Sequence, residues 1–177
     1  MEQALRAGHL DVAANLVQNL SEEQLLAEQN VGMLLRWKMD LPDSLLISTP
    51  RLIVLYSWAL GLACQLDAAE ELANHLSRFL PAPSATAQKS MLAQWLALSG
   101  IIARGRGQRE NTLAYCSEAL ESLPPKRYGQ RLMCLSTLSN LAITDADLWR
   151  ARSLNRESLE LAQRVGNPLF EALAHYD

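Results

Sequence analysis

Apolar residues recur at helical spacing along nearly the whole chain. Val12, Ala13, Leu16, Val17 and Leu20 follow a 3.6-residue period and predict a helix from about Asp11 to Leu20. A shorter helix, Glu2 to Ala7, precedes it and stops at Gly8. Ser21-Glu22-Glu23-Gln24 has the form of a capping box and predicts a helix to about Gln29. Val31 to Asp40 predicts the next, carrying Leu34, Leu35 and Trp37, and Leu41-Pro42-Asp43 breaks it, with Asp43 capping a short turn through Leu46. Thr49-Pro50 opens a helix to about Cys64, since Thr suits the N-cap and Pro the first helical position. Asp67, followed by Glu70, predicts the cap of a partner helix to about Leu80, closed by Pro81 and Pro83. Ser84 caps a helix to about Arg104, and Gly105 and Gly107 turn the chain into a partner ending at Ser122, before Pro124-Pro125. A third pair spans Lys126 to Thr144 and Asp147 to Val165, with Asp145 or Asp147 as cap. Asn167-Pro168 starts one more helix. The helical period dominates along the chain, so no sheet is expected and the fold class is all-α.

Small residues repeat on a common ruler. Ser57, Cys64, Ala69 and Pro81 are 7, 5 and 12 residues apart; Gly100, Gly107, Thr112 and Pro124 repeat those steps. Ser139, Ala146 and Ala151 repeat the first two, and Gly8 and Ala13 keep the middle one. Small side chains at such intervals mark close crossings of paired helices, so the chain reads as stacked helix-turn-helix units. The expected organisation is one helical-repeat domain over 1–177: N-terminal helices in 1–49, three repeats in 50–166, and a truncated helix in 167–177. Both ends fall inside helical patterns and neither has the polar outer face of a capping repeat, so the segment reads as a piece of a longer protein.

Composition narrows the class. With 49% hydrophobic and 20% charged residues the chain is globular rather than disordered. Its net charge of −3 argues against a broad nucleic-acid-binding face. The longest uncharged stretch, Leu52 to Leu66, is 15 residues, short of the roughly 20 that a membrane span needs. The first residues lack a signal-peptide pattern, and Cys64, Cys116 and Cys134 read as small buried thiols, so a cytoplasmic location is expected.

Chemistry is sparsely marked. Ala103 to Arg109 is a basic, Gly-containing loop that could hold an anion at a helix start or serve as an ordinary turn. Asp145-Ala146-Asp147 could be a metal pair, but a hard cation needs six or more oxygens and a helix cap suffices to explain it. Glu22-Glu23 and Glu70-Glu71 diverge by about 100° on a helix and suit its first turn better than acid-base work. His9, His75 and His175 show no zinc spacing, and no Ser or Cys has a motif partner, so the chain is read as no enzyme, without catalytic or metal residues and without a cofactor of its own. Trp37, Trp58, Trp95 and Trp149 read first as core. If Ser57 takes the close-packed position, Trp58 turns toward an inner face shared with Arg51, Gln94, Arg104 and Asn140. That concave set could bind a sugar, another small polar effector or a peptide, or could be a bare solvated face.

The intervals resemble a degenerate tetratricopeptide repeat, which implies a right-handed superhelix of antiparallel helix pairs; the offsets of 43 and 39 residues exceed its usual ~34. A second resemblance covers residues 4–80. Ala4-Leu5-Arg6-Ala7-Gly8-His9-Leu10-Asp11-Val12-Ala13-Ala14 is followed by Leu34-Leu35-Arg36-Trp37, Leu41-Pro42, Leu45-Leu46, Pro50-Arg51-Leu52 and Tyr56-Ser57-Trp58-Ala59-Leu60. This order is similar to the start of the helical-repeat region in large ATP-binding LuxR-type transcriptional regulators of the maltose-activator-like group. The resemblance implies a segment that senses a small-molecule inducer or a regulatory protein, with possible self-association and no membrane partner. The chain carries no G-x-x-x-x-G-K-[ST] loop and no evident DNA-reading helix, so ATP and DNA would be met only through absent flanking modules. The alternative is a generic tetratricopeptide-like scaffold that docks a peptide in its groove.

Overall fold

The computed structural model describes residues 2–19, 30–166 and 168–176. The only regular secondary structure among these residues is helix, joined by turns, with no strand. The helix expected over Ser21 to Gln29, together with Leu20 and Asn167, lies outside the described residues. The chain divides into two compact units, Met1–Pro83 and Ser84–Asp177.

In the first unit α1 is Glu2–Arg6, α2 Leu10–Gln18, α3 Asn30–Asp40, α4 Asp43–Leu46, α5 Pro50–Leu62 and α6 Leu66–Asn74. Thr49 caps α5 as expected, its hydroxyl accepting from the Leu52 N–H at 3.3 Å, with Pro50 at the first helical position. Helix α5 packs against α2, α3, α4 and α6 and is buried on every side from Leu52 to Gly61. A helix apolar around its whole circumference has no solvent face to present, so it becomes the core of its unit.

The partner helix departs from expectation at both ends. It starts at Leu66, one residue before the expected cap Asp67, and Gln65 precedes it without a side-chain capping bond. Asp67 therefore sits in the first turn, where a carboxylate meets the positive end of the helix dipole. The α-helix ends at Asn74, and His75–Phe79 continue as a 3-10 helix rather than as α-helix to Leu80. Pro81 lies just beyond, and without an N–H it cannot carry the helical ladder further.

In the second unit α7 is Ala85–Gly105, α8 Arg109–Ser122, α9 Tyr128–Thr144, α10 Leu148–Val165 and α11 Pro168–Tyr176. Ser84 caps α7 by accepting from the Ala87 N–H at 3.1 Å. Asp147, not Asp145, caps α10, accepting from the Arg150 N–H at 3.1 Å. Helices α7 and α8 pack along each other, and Trp95 meets Tyr115 edge to face at 5.8 Å. Helix α9 packs against both α7 and α8. Its Arg131 Nη1 donates to the Leu120 and Leu123 carbonyls at 2.8 and 3.0 Å, answering acceptors at the open end of α8.

The small-residue ruler has a concrete meaning in the backbone. Its second mark is the residue with positive φ that ends each first helix: Gly8 (71°), Cys64 (58°), Gly107 (71°) and Ala146 (58°). The residue after each one donates back to a carbonyl five positions earlier: His9 to Ala4, Gln65 to Leu60, Gln108 to Ala103 and Asp147 to Ala142, all at 2.9 Å. The carbonyl of that same residue accepts from Ala13, Ala69, Thr112 or Ala151 at 2.9–3.0 Å and so starts the second helix. Those four acceptor-bound residues are the third mark and are buried, with at most 4% exposure. One residue thus closes one helix and opens the next, four times over in the same hydrogen-bond register.

The first mark is the crossing. Ser57, Gly100 and Ser139 are all buried. A Cβ on Gly100 would collide with the Cys116 Sγ and lie 3.2 Å from the Cys116 backbone nitrogen, so glycine is what allows α7 and α8 to approach. Ser139 donates to the Ala151 carbonyl at 3.3 Å. The Ser57 hydroxyl is buried with no hydrogen-bond partner.

Candidate functional site

The five residues expected to share an inner face divide between the units. Arg51 and Trp58 lie on α5 of the first, seven residues apart and therefore on one side of the helix. Arg51 is half-buried, and its Nε donates to the Gln18 carbonyl at 3.0 Å, tying α5 to the end of α2. Trp58 is only 3% exposed and its indole N–H has no partner. It is a core side chain of the first unit, not an open aromatic platform. The physical reason is the company α5 keeps: the N-terminal helices close over the side that the ruler would leave open.

Gln94, Arg104 and Asn140 are placed differently. Gln94 and Arg104 lie on α7 and Asn140 on α9, and all three are half-buried. Together with Ile101, Met133 and Ser136 they form a partly open stripe on the first helix of each pair in the second unit. Gln94 is turned back on its own helix, its Nε2 donating to the Ser90 carbonyl at 3.0 Å.

The basic loop is already answered from within. Arg109 makes two parallel bonds to Asp145, Nε to Oδ1 at 2.8 Å and Nη2 to Oδ2 at 2.7 Å. The hydrogen bonds from Arg109, then its charge, hold the Asp145 carboxyl below its usual range, and the same pair raises the guanidinium. This fork links the α7–α8 turn to the α9–α10 turn. It leaves Arg109 engaged rather than offered to an external anion, and it takes Asp145 out of the imagined metal pair, whose other member caps α10. Among the described residues no three His, Cys, Asp or Glu side chains converge as a metal site.

The cysteines also separate. Cys116 and Cys134 are buried, and the hydrogen bond between them, followed by burial, pushes the Cys134 thiol up. Cys64 is exposed, contrary to expectation, because it occupies a turn position with φ 58°.

Open clefts lie within the units. One of 270 Å³ in the first unit has an apolar floor of Leu46, Leu60 and Leu72, with Lys38, Glu71 and His75 at its rim. Another of 310 Å³ in the second unit is lined by Leu92, Leu96, Lys89 and Glu118. Neither gathers a nucleophile beside a base.

Trp149 is the side chain that sequence reasoning placed least well. It stands 84% exposed at the start of α10, with Leu148 beside it 67% exposed. The ruler itself held the signal. The position three residues past the positive-φ residue is Asp11, Asp67 and Glu110 in the other copies, an exposed place that suits a carboxylate.

Compared with family models, curated proteins and solved structures, the chain matches none.

Proposed function

We propose that this chain is an effector- or partner-binding segment and that it serves as the helical-repeat region of a LuxR-type, maltose-activator-like transcriptional regulator. The observation that carries the binding reading is the turn repeated four times in one hydrogen-bond register, which builds successive helix pairs of the kind that stack into scaffolds. The packing of α9 on both α7 and α8 supports a tetratricopeptide-like, right-handed superhelix of antiparallel pairs, in which each new helix lies along the preceding pair. The regulator reading rests on the order of residues between Ala4 and Leu60.

In this reading a small-molecule inducer or a regulatory protein meets the half-buried stripe of Gln94, Arg104 and Asn140 in the cytoplasm. Binding favours one arrangement of the helix pairs, and flanking ATP-binding and DNA-binding modules respond. The effector shifts that equilibrium only by its difference in affinity for the two arrangements. Catalysis has no part in this mechanism.

Sequencing the gene on both sides of the segment tests the regulator reading. A phosphate-binding loop upstream and a helix-turn-helix downstream are expected. A gene with neither would overturn it, and the peptide-docking scaffold would remain as the reading that the repeated turn supports alone.

A further inference from the structure

The four turns supply an internal reference. At the position three past the positive-φ residue, Asp11, Asp67, Glu110 and Trp149 are all exposed. Carboxylates there meet the positive end of the helix dipole, and the first three copies obey that preference. The fourth copy moves the acid to the cap, Asp147, and puts Trp149 in its place; Arg150 follows, and Arg152 stands one turn on. An indole held in water adds no burial to the fold, and Arg150 in the first turn opposes the dipole. Glu110 stays exposed although α9 packs against α8, and Trp149 stays exposed although α11 packs against α10, so a following helix covers this position in neither copy of the second unit.

Trp149, Arg152 and Arg156 share one side of α10 at steps of three and four residues, a strip about 10 Å long. From Leu148 to Arg156 the helix carries three arginines and no acid. Among the described residues Arg152 has no ionic partner. Arg156 approaches Glu160 at 4.0 Å, so the basic strip ends there.

We propose that this strip docks an acidic peptide segment of a partner protein, with Trp149 taking an apolar side chain and Arg152 and Arg156 taking carboxylates on the following turn. The chemistry is that of a rigid aromatic anchor beside planar cations that pair with carboxylates. Glu157 and Glu160 close the strip, and the chain as a whole is acidic, so a long polyanion such as a nucleic acid has no continuous track to follow. The inference stands apart from the regulator reading, since it needs only the exposed strip.

A display library of random twelve-residue peptides, panned on the whole chain, tests it. The selected peptides are expected to be acidic with at least one aliphatic or aromatic residue, and to bind less tightly as salt rises. Trp149→Ala and Arg152→Glu should each weaken a selected peptide at least tenfold while leaving the circular-dichroism spectrum and melting midpoint unchanged. Glu110→Ala should leave binding unchanged. Enrichment of neutral or basic peptides, failure to enrich any, equal binding by the two variants, or tighter binding of a twelve-nucleotide single strand would each overturn the proposal. Self-association of the free chain that Trp149→Ala abolishes would overturn it too, by assigning the strip to a second copy.

Discussion

Helix α5 in the first unit and helices α7 and α9 in the second begin helix pairs marked by the same ruler, yet their surroundings differ. Helix α5 is buried from Leu52 to Gly61, because α2, α3 and α4 close over it in addition to its partner α6. Helices α7 and α9 keep a half-buried stripe that includes Gln94, Arg104 and Asn140. The small residues specify how a helix meets its partner. They do not specify what else covers it; the composition of the remaining circumference does. Where every side is apolar the helix becomes a centre, and where one side keeps Gln, Arg and Asn it stays a wall.

The strongest way to break this contrast is to truncate equivalent faces. Trp58→Ala should destabilise the protein by about 3–5 kcal/mol, the cost of emptying a large buried side chain. Asn140→Ala, from a half-open stripe, should change stability by no more than about 0.5 kcal/mol. Urea unfolding followed by circular dichroism measures both. Equal, small effects would mean that Trp58 is not the core residue its burial indicates.

The crossings offer the next test. Gly100→Ala should cost about 1–3 kcal/mol, because the added methyl has a backbone nitrogen 3.2 Å away that cannot swing aside as a side chain can. Ser57→Ala should be neutral or gain up to about 1 kcal/mol, since it removes a buried hydroxyl with no partner. If Gly100→Ala is the milder of the two, the α7–α8 approach is not limiting.

The turns differ more subtly. Gly107 meets its positive φ without strain, and no heavy atom lies within 4 Å of where its Cβ would be, so Gly107→Ala should lose about 1 kcal/mol through backbone strain alone. Cys64 and Ala146 already bear that strain at φ 58°, and Cys64→Gly or Ala146→Gly should recover part of it, about 0.5–1 kcal/mol each after the added freedom of glycine in the unfolded chain. Thermal melts of the three variants decide it, and a loss in either glycine variant would show that the side chain does more at the turn than strain it.

These residues also show what could be read from the sequence. The helices were legible because their apolar period agrees with the breaks at Pro and Gly; the left-handed residue at each turn became visible only in the backbone. Thr49 and Ser84 were legible as caps because a side-chain oxygen at a helix start has one obvious use, whereas Asp145 and Asp147 were equal candidates until the backbone chose Asp147. Trp58 belongs to the core, the first of its two readings; the inner-face alternative took its helix from the ruler alone. The uncharged run from Leu52 to Leu66 is too short for a membrane span, and it also announces a helix buried on all sides. Trp149 was missed for the opposite reason. A lone Trp near a helix start looks like core until the ruler's second mark aligns it with Asp11, Asp67 and Glu110.

The smallest expected effect concerns the fork that joins two turns of the second unit. Arg109 lowers the Asp145 pKa in the folded chain, so the pair stabilises the fold at pH values above the ordinary unfolded carboxyl value of about 3.9. That contribution fades as pH falls through the lowered folded value, where the carboxylate takes up a proton and the guanidinium loses its partner. Asp145→Asn removes the charge at every pH. The melting midpoints of the parent and the variant should therefore differ at pH 7, keep that difference near pH 5, and converge toward pH 2. Both groups are open to solvent, so the gap at pH 7 should be slight and should narrow further in high salt. A gap that widens on acidification would mean that Asp145 holds the turns together through something other than its charge.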